Sequence, residues 1–192
     1  RYTWDKRSGD IYRIFYLGRG APEFGGAGIP FGEAQTDFEG SAKFNKFTPR
    51  ASISFKPTRD HNLYASYSQG FKGGSFDPRG TGLNAPDLDE DGTVSDEEVG
   101  EFISFDPETV DSYELGYKGS LLDNNLDIAL ALFRADYKDV QIPGSVPCVS
   151  NGIETFCGVT NNAGNARFQG VGLESDAILG RDLANPGDPL SL

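Results

Sequence analysis

Apolar and polar residues alternate along five stretches of this chain with the two-residue period of a β-strand. In the clearest stretch, Phe47 to Phe55, every second residue is Phe, Pro, Ala, Ile or Phe, and the residues between them are Thr, Arg, Ser and Ser. Successive side chains of a strand point to opposite faces of a sheet, so this period predicts one apolar and one polar face. The fold class is therefore predicted to be all-β.

The pattern predicts about six long strands. A strand end at residues 1–6 precedes segments at residues 44–55, 62–71, 109–120, 126–141 and 165–179. The predicted apolar faces carry Ala51, Ile53, Leu63, Ala65, Leu115, Val171 and Leu173, and the opposite faces carry Arg50, Ser66, Glu114 and Glu174. Residues 126–141 are apolar on both faces, so their pattern does not say which face points where.

The connections between these segments alternate in length. Long connections are predicted at residues 7–43, which include a possible strand extension at residues 11–17, and at residues 72–106 and 142–163. Tight turns are predicted near residues 57–61 and 122–125. Long loops at one rim and short turns at the other are typical of an antiparallel up-and-down meander in the wall of a transmembrane β-barrel. Most of the segments exceed the ~9–11 residues that cross a bilayer, whereas strands of soluble sandwiches are usually ~5–6 residues long.

Composition narrows the class of protein further. The chain has 192 residues, of which 12% are aromatic, with 25 glycines and 11 prolines, a profile that suits strands and turns. No apolar run approaches the ~20 residues of a transmembrane helix. The chain starts at Arg1 and ends where another strand is expected to begin, so we expect an internal fragment of a longer protein.

The net charge of −12 is concentrated in one segment. Residues 87–111 hold eleven of the 29 acidic residues and no Lys or Arg, and the remainder of the chain is nearly neutral. No basic stripe is present, which argues against a nucleic-acid partner.

Part of this segment matches an EF-hand calcium loop. Residues 87–98 read DLDEDGTVSDEE, with acidic or hydroxyl residues at the ligand positions and Gly92 at the sharp turn. The predicted metal ligands are Asp87, Asp89, Asp91, Thr93 through its carbonyl, Ser95 and Glu98. The flanking residues do not favour an entering helix, so a structural calcium ion of weak affinity, ~10⁻⁴–10⁻³ M, is predicted. The alternative is a solvated acidic loop.

The two cysteines lie close together in the sequence. Cys148 and Cys157 occupy a turn-rich segment, and a disulfide between them is predicted in an oxidising compartment. The alternative is a pair of free thiols in a loop. A zinc site is not expected, because it would need more Cys or His nearby.

No catalytic constellation is evident. The only histidine, His61, lies in a predicted turn, and HExxH, GxSxG and P-loop motifs are absent from the sequence. The chain is therefore predicted not to be an enzyme. Charged residues on the polar faces, namely Arg50, Glu114, Lys118 and Glu174, could line a transport path or pair with one another.

Five sequence blocks, in order, resemble TonB-dependent outer-membrane receptors. They are TPR at residues 48–50, YASYSQGFKGG at 64–74, PETVDSYELGYK at 107–118, ALFRADYKDVQ at 131–141 and NAGNARFQGVGLE at 162–174. The resemblance implies that residues 1–192 are part of a large plugged barrel. Residues 87–98 would then be a calcium loop inserted in an extracellular loop.

The resemblance also implies a function, a location and partners. Such receptors import scarce nutrients, for example iron–siderophore complexes, across the outer membrane of Gram-negative bacteria. The expected partners are the TonB–ExbB–ExbD system, acting through an N-terminal part that this sequence does not contain, the siderophore complex and outer-membrane lipid. Two alternatives remain: a secreted calcium-stabilised β-sandwich for adhesion or carbohydrate binding, and a passive porin.

Overall fold

The computed structural model describes residues 1–150, 153–181 and 189–191. Twelve strands and one α-helix are found there: β1 (Tyr2–Leu17), β2 (Ile29–Phe47), β3 (Arg50–Phe55), β4 (His61–Lys72), β5 (Ser75–Phe76), α1 (Asp96–Ile103), β6 (Ser104–Phe105), β7 (Glu108–Leu121), β8 (Leu126–Lys138), β9 (Gln141–Ser150), β10 (Ile153–Asn162), β11 (Ala166–Arg181) and β12 (Pro189–Ser191). Two short 3-10 helices, Pro22–Phe24 and Gly82–Asn84, lie in the connections. In these ranges no helix combines the length and apolar character needed to cross a membrane.

The main sheet is an antiparallel meander. Its six strands follow the order β12-β11-β8-β7-β4-β3, so neighbours in the sheet are also neighbours along the chain apart from the excursions between β4 and β7 and between β8 and β11. The turn between β7 and β8 places Leu122, Asp123 and Asn124 in the left-handed region, with φ of 54°, 54° and 62°. The structure confirms the predicted all-β fold class, and the sheet is open within the described residues.

The strand register places the alternating residues in common rows. Ala65 pairs with Ile53 on one side and with Leu115 on the other. Leu132 in turn pairs with both Leu115 and Val171. We call this side of the main sheet the apolar face. Because neighbouring residues of a strand point to opposite sides, Arg50, Ser66, Glu114 and Glu174 lie on the other side, the polar face. The predicted separation of faces is confirmed.

The register also shows on which face of the sheet each residue of β8 lies, which the sequence of β8 did not reveal. Leu126, Ile128, Leu130 and Leu132 fall in the rows of the apolar face, whereas Ala129, Ala131 and Phe133 fall in those of the polar face. The apolar face is exposed rather than packed: Ile53, Leu115 and Val171 are 72%, 55% and 67% accessible. A contiguous exposed apolar surface marks an interface with a partner or a membrane.

The predicted long connection at residues 7–43 is wrong. Strands β1 and β2 form a hairpin in register from Tyr2–Phe47 to Leu17–Ile29, closed by residues 18–28. Half-buried and exposed positions alternate along much of β1, but Trp4 and Phe15 are exposed while Asp5 and Arg13 are half-buried, so the sequence does not show the apolar–polar alternation that identifies a half-buried strand. The predicted strand at 44–55 is divided at residues 48–49, where Pro49 has no backbone N–H to donate but accepts from Gln69 N at 2.9 Å.

The predicted connection at residues 142–163 is also a hairpin. Strands β9 and β10 pair from Gln141–Asn162 to Ser150–Ile153. The strand predicted at 126–141 therefore ends at Lys138, and Asp139 adopts a left-handed conformation (φ 55°) where the chain changes direction. Residues 72–106 contain the short β5–β6 pair and helix α1.

Candidate functional site

The acidic segment brings three carboxylates together. Carboxylate oxygens of Asp87, Asp89 and Asp91 all lie within 4.8 Å of one another. Like charges at this spacing repel by about 1 kcal/mol per pair even in water. The loop therefore concentrates negative charge in the place where the sequence predicts a cation.

Backbone hydrogen bonds hold this turn. Asp87 accepts from Asp91 N at 3.2 Å and from Gly92 N at 2.8 Å, and Asp91 accepts from the Thr93 N–H and hydroxyl at 2.8 and 2.7 Å. Gly92 has φ of 89°, a left-handed conformation that glycine adopts without the steric penalty of a Cβ. Local sequence therefore determines the loop shape.

The structure does not bring Glu98 into the aspartate group. Ser95 and Glu98 form a capping box at the start of α1: Ser95 Oγ accepts from Glu98 N, and Glu98 Oε2 accepts from Ser95 N at 2.8 Å. Glu98 Oε1 also accepts from Leu88 N at 2.5 Å. These hydrogen bonds, led by those from the backbone of Ser95 and Leu88, lower the pKa of Glu98.

The donor set fits calcium. All six predicted ligands offer oxygen atoms, which a hard cation such as Ca²⁺ prefers. Glu98 would have to exchange its hydrogen bonds to Leu88 and Ser95 for the metal, while the three aspartates already converge. Calcium binding at this loop stays a prediction.

Three outer segments pack together at the long-connection end of the main sheet. We call the hairpin β1–β2, residues 72–106 and the hairpin β9–β10 the loop assembly. Its core contains Phe38, Ala85, Val99 and Ile103, with Ile11, Phe76 and Phe102 packed against it. Ile103 has no accessible surface. Helix α1, which follows directly from the acidic loop, thus contributes two side chains to this core.

Asp77 is the polar centre of the loop assembly. Its side chain is 3% accessible and accepts from Arg79 Nη2 at 2.6 Å, Arg79 Nε at 3.0 Å and the Thr160 hydroxyl at 2.7 Å. Burial alone would raise the pKa of Asp77, but hydrogen bonds from Arg79 and Thr160 and the Arg79 charge lower it to about 2. Asp77 is therefore ionised, and its carboxylate joins the middle segment of the loop assembly, residues 72–106, to strand β10.

The same segment is tied to the first hairpin. The buried Thr36 hydroxyl donates to Gly80 O at 3.3 Å and accepts from Gly82 N at 2.9 Å. Arg13 Nη1 donates to Arg79 O and to Thr81 Oγ1 at 3.1 and 3.2 Å. Residues 77–82 are thus held from both sides.

A second set of contacts joins the base of the loop assembly. Asn162 donates to Asp106 O and Asp139 O, each at 2.8 Å. Gln141 Nε2 donates to Gly73 O at 3.0 Å and Asp106 O at 2.9 Å. Sequence reasoning found none of these residues, since their partners are distant in the chain. The turn-forming DPRG at residues 77–80 was the only local signal near them.

Cys148 and Cys157 lie on facing strands of the hairpin β9–β10. Their Sγ atoms are 2.10 Å apart and their Cα atoms 5.8 Å apart, which matches disulfide geometry. Cys157 is buried and its Sγ accepts from Asn84 Nδ2 at 3.2 Å. The crosslinked hairpin thereby contacts the middle segment near the acidic loop.

The charged residues of the polar face are not paired with one another. Glu114 accepts from Tyr64 Oη at 2.6 Å. Arg50, Lys118 and Glu174 form no ion pair within the described ranges. The structure places His61 at the start of β4 rather than in the turn, and its Nδ1 lies 2.7 Å from Tyr117 Oη on the apolar face.

Comparison with known proteins gives consistent results. A family model described as TonB dependent receptor-like, beta-barrel matches residues 1–183. A protein of Acinetobacter baumannii described as "Probable TonB-dependent siderophore receptor PiuA" is 33% identical over 95 residues, or 50% of this chain and 11% of that protein.

Two solved structures resemble the fold. FyuA, the ferric yersiniabactin uptake receptor from Yersinia pestis, matches with a TM-score of 0.52 and 21% identity over 81% of this chain and 18% of its own. PirA, a siderophore receptor from Acinetobacter baumannii, matches with a TM-score of 0.43 and 19% identity over 79% and 26% of the two chains. At these identities the likeness concerns the fold alone.

The chain spans only a small part of these relatives, 11% of the first and 18% of the second. The matching family comprises transport receptors rather than enzymes, and membership implies a location in the outer membrane. The family match covers nearly the whole chain, and its strands form the expected meander with one exposed apolar face. The chain therefore belongs to the family of TonB-dependent receptor β-barrels.

Proposed function

We propose that this chain is part of the wall and outer loops of a receptor that imports an iron–siderophore complex. The observation that carries the proposal is a six-stranded meander with an exposed apolar face, within a chain that matches the receptor family over residues 1–183. The siderophore receptor that matches half of the chain supports this substrate class. The apolar face would contact lipid, and the polar face would line the lumen.

The energy source would be the TonB–ExbB–ExbD system. The six strands of the main sheet are too few to enclose a path alone, so residues elsewhere in the full-length receptor would supply the plug and the TonB contact. The loop assembly would lie outside the cell, because outer-membrane barrels keep their short turns on the periplasmic side. There it would meet the ligand first.

Radio-iron uptake in cells that carry the full-length receptor tests this proposal. Deleting the receptor gene, or deleting TonB, should abolish uptake of at least one iron chelate, while entry of a small freely diffusing solute should not change. If uptake persisted without TonB, the active-import proposal would fail and the passive-porin alternative would be favoured. The secreted β-sandwich is not favoured, because the family match offers no support for it.

Structural calcium binding at residues 87–98 is the second candidate function. It is favoured by the convergence of the Asp87, Asp89 and Asp91 carboxylates within 4.8 Å. Bound calcium would neutralise their repulsion and hold the loop that leads into α1. Because Val99 and Ile103 of α1 lie in the core of the loop assembly, the ion would stabilise that assembly.

Calorimetric titration of the intact receptor with calcium tests this candidate. The parent should release or absorb heat, Asp87→Ala and Glu98→Gln should weaken binding, and Asp96→Ala, an exposed acid outside the ligand positions, should bind like the parent. No heat in the parent would exclude the site.

A further inference from the structure

Charged residues lie on the apolar face of the main sheet, at its long-connection end. Arg134 lies two residues beyond Leu132 on β8 and shares its face, and Asp136 and Lys138 continue the same alternation. Asp136 pairs with Arg167 of β11 on one side and with Asp111 of β7 on the other. This group is therefore on the outside of the wall, away from the polar face that would line the lumen.

Tyrosines lie in the row of Arg134, between the apolar rows and the rest of this group. Tyr67 and Tyr113 pair across β4 and β7, with ring centroids 5.1 Å apart, in the row next to Ile53 and Leu115. Aromatic residues of barrels mark the boundary between hydrocarbon and headgroups, because they have an apolar body and a polar tip. The charged group lies at or just beyond that boundary.

Carboxylates lie beneath the cations and fix them. Asp136 accepts from Arg134 Nε at 2.8 Å and from Arg167 Nε at 2.5 Å. Asp111 accepts from Tyr67 and Gln69 and lies 3.5 Å from Lys138 Nζ. Asp136 and Asp111 are 20% and 13% accessible, whereas Arg134, Arg167 and Lys138 are 47%, 55% and 61% accessible.

The two guanidinium groups keep donors available. Both arginines bind Asp136 through Nε, and their terminal Nη groups have no hydrogen-bond partner within the part of the chain that the structure describes. Three cations over two carboxylates leave a net positive charge. Guanidinium groups held in place from one edge present planar N–H donors that suit the oxygens of a phosphate.

We propose that Arg134, Arg167 and Lys138 form a binding site for the phosphate of a phosphorylated glycolipid in the outer leaflet. This rests on the proposed function only in requiring that the apolar face contact the outer membrane. A ligand at this height and on this side of the wall is a membrane headgroup, and phosphate supplies the complementary charge. Lys118, on the polar face, is a cation outside the site.

Native mass spectrometry of the full-length receptor with bisphosphorylated lipid A tests this proposal. The parent should retain the glycolipid. The double variant R134Q/R167Q should bind it at least tenfold more weakly, K118Q should bind like the parent, and Arg167→Lys, which keeps the charge but loses the planar donors, should be intermediate. Dephosphorylated lipid A should not be retained.

Several outcomes would overturn the site. They are equal retention by R134Q/R167Q and parent, equal retention of dephosphorylated lipid, or complete displacement of the glycolipid by millimolar inorganic phosphate, which would indicate a soluble anion as the ligand. Heat-modifiable migration in gels shows whether each variant is a folded barrel. If the double variant does not fold, the comparison of Arg167→Lys with parent decides the question.

Iron uptake separates this proposal from the proposed function. Uptake should persist in R134Q/R167Q, because these side chains lie on the outside of the wall. If the parent showed no TonB-dependent uptake, the proposed import function would fail, and the proposed lipid site would be unaffected. If the parent took up iron normally but bound bisphosphorylated and dephosphorylated lipid A equally, only the proposed lipid site would fail.

Discussion

Asp77 shows how one residue can hold distant segments together. Its carboxylate is almost fully buried, yet it accepts four hydrogen bonds from Arg79 and Thr160. A buried charge is tolerated only when it is paired and hydrogen-bonded, and this one is. Thr160 is 83 residues away in sequence, so the contact fixes one outer segment against another.

Acid should loosen the loop assembly through Asp77. Its folded pKa, about 2, lies below the ordinary 3.8, so folding favours the ionised form. The stabilisation is complete above about pH 4 and is lost as pH falls through 2. The protection of residues 77–82 and 153–162 in the full-length receptor, measured as the hydrogen-exchange rate relative to the intrinsic rate at the same pH, should therefore be high at pH 6 and lower near pH 2.

A matched pair of variants checks the assignment. Asp77→Asn should raise exchange at pH 6, since removing one partner of a buried network costs roughly 1–3 kcal/mol, and should remove most of the acid dependence. Glu97→Gln, on the exposed side of α1, should behave like the parent. Acid sensitivity that is unchanged in Asp77→Asn would assign it to other carboxylates.

At the scale of the strand, adjacent residues lie on opposite faces of the sheet. Ala65 lies in the row of Ile53 and Leu115, and Ser66 pairs with Glu114 on the other face. Ala65→Lys should destabilise the inserted barrel by about 2–4 kcal/mol, the cost of a cation facing lipid at mid-membrane. Ser66→Lys, one residue along, should cost much less because it lies beside Glu114.

Reversible urea unfolding of the full-length barrel in liposomes measures both variants. The two differ by one position in the same strand, so strand propensity is nearly matched. Equal destabilisation by both lysines would mean that Ala65 does not face lipid.

The hairpin β9–β10 is predicted to depend on its disulfide. Closing this short loop stabilises by roughly 2–3 kcal/mol in the chain-entropy model. Alkylation without reductant followed by mass spectrometry should detect no free thiol, and the variant with Cys148→Ser and Cys157→Ser should show faster hydrogen exchange in β9 and β10. Two alkylated cysteines in the parent would refute the crosslink.

At the scale of the whole molecule, the long connections form one packed body. A buried apolar core, the Asp77 network and the Asn162 and Gln141 contacts join three segments that the sequence separates by tens of residues. The acidic loop enters this body through α1. We therefore expect a structural change at residues 87–98 to alter the packing of the hairpins β1–β2 and β9–β10 as well.

The sequence by itself determined the half of the molecule where one face is apolar. Along residues 50–55, 61–72 and 108–121 the alternation predicted the strands and their faces, because an apolar face on one side of the sheet and a polar face on the other require a period of two. The acidic loop was equally readable, since its ligand pattern and Gly92 act within twelve residues.

Only the tertiary structure decided the rest. In the hairpin at residues 2–47, exposed aromatic residues and half-buried polar ones break the apolar–polar alternation beyond the predicted strand segments at 1–6 and 44–47, and the first four residues of β10 are exposed on both faces, so most of these hairpins was not marked as strand. β8 is apolar on both faces, and only its register with β7 and β11 orients it. Asp77 with Thr160, and Arg134 with Arg167, become sites through pairings between distant segments, which no local pattern encodes.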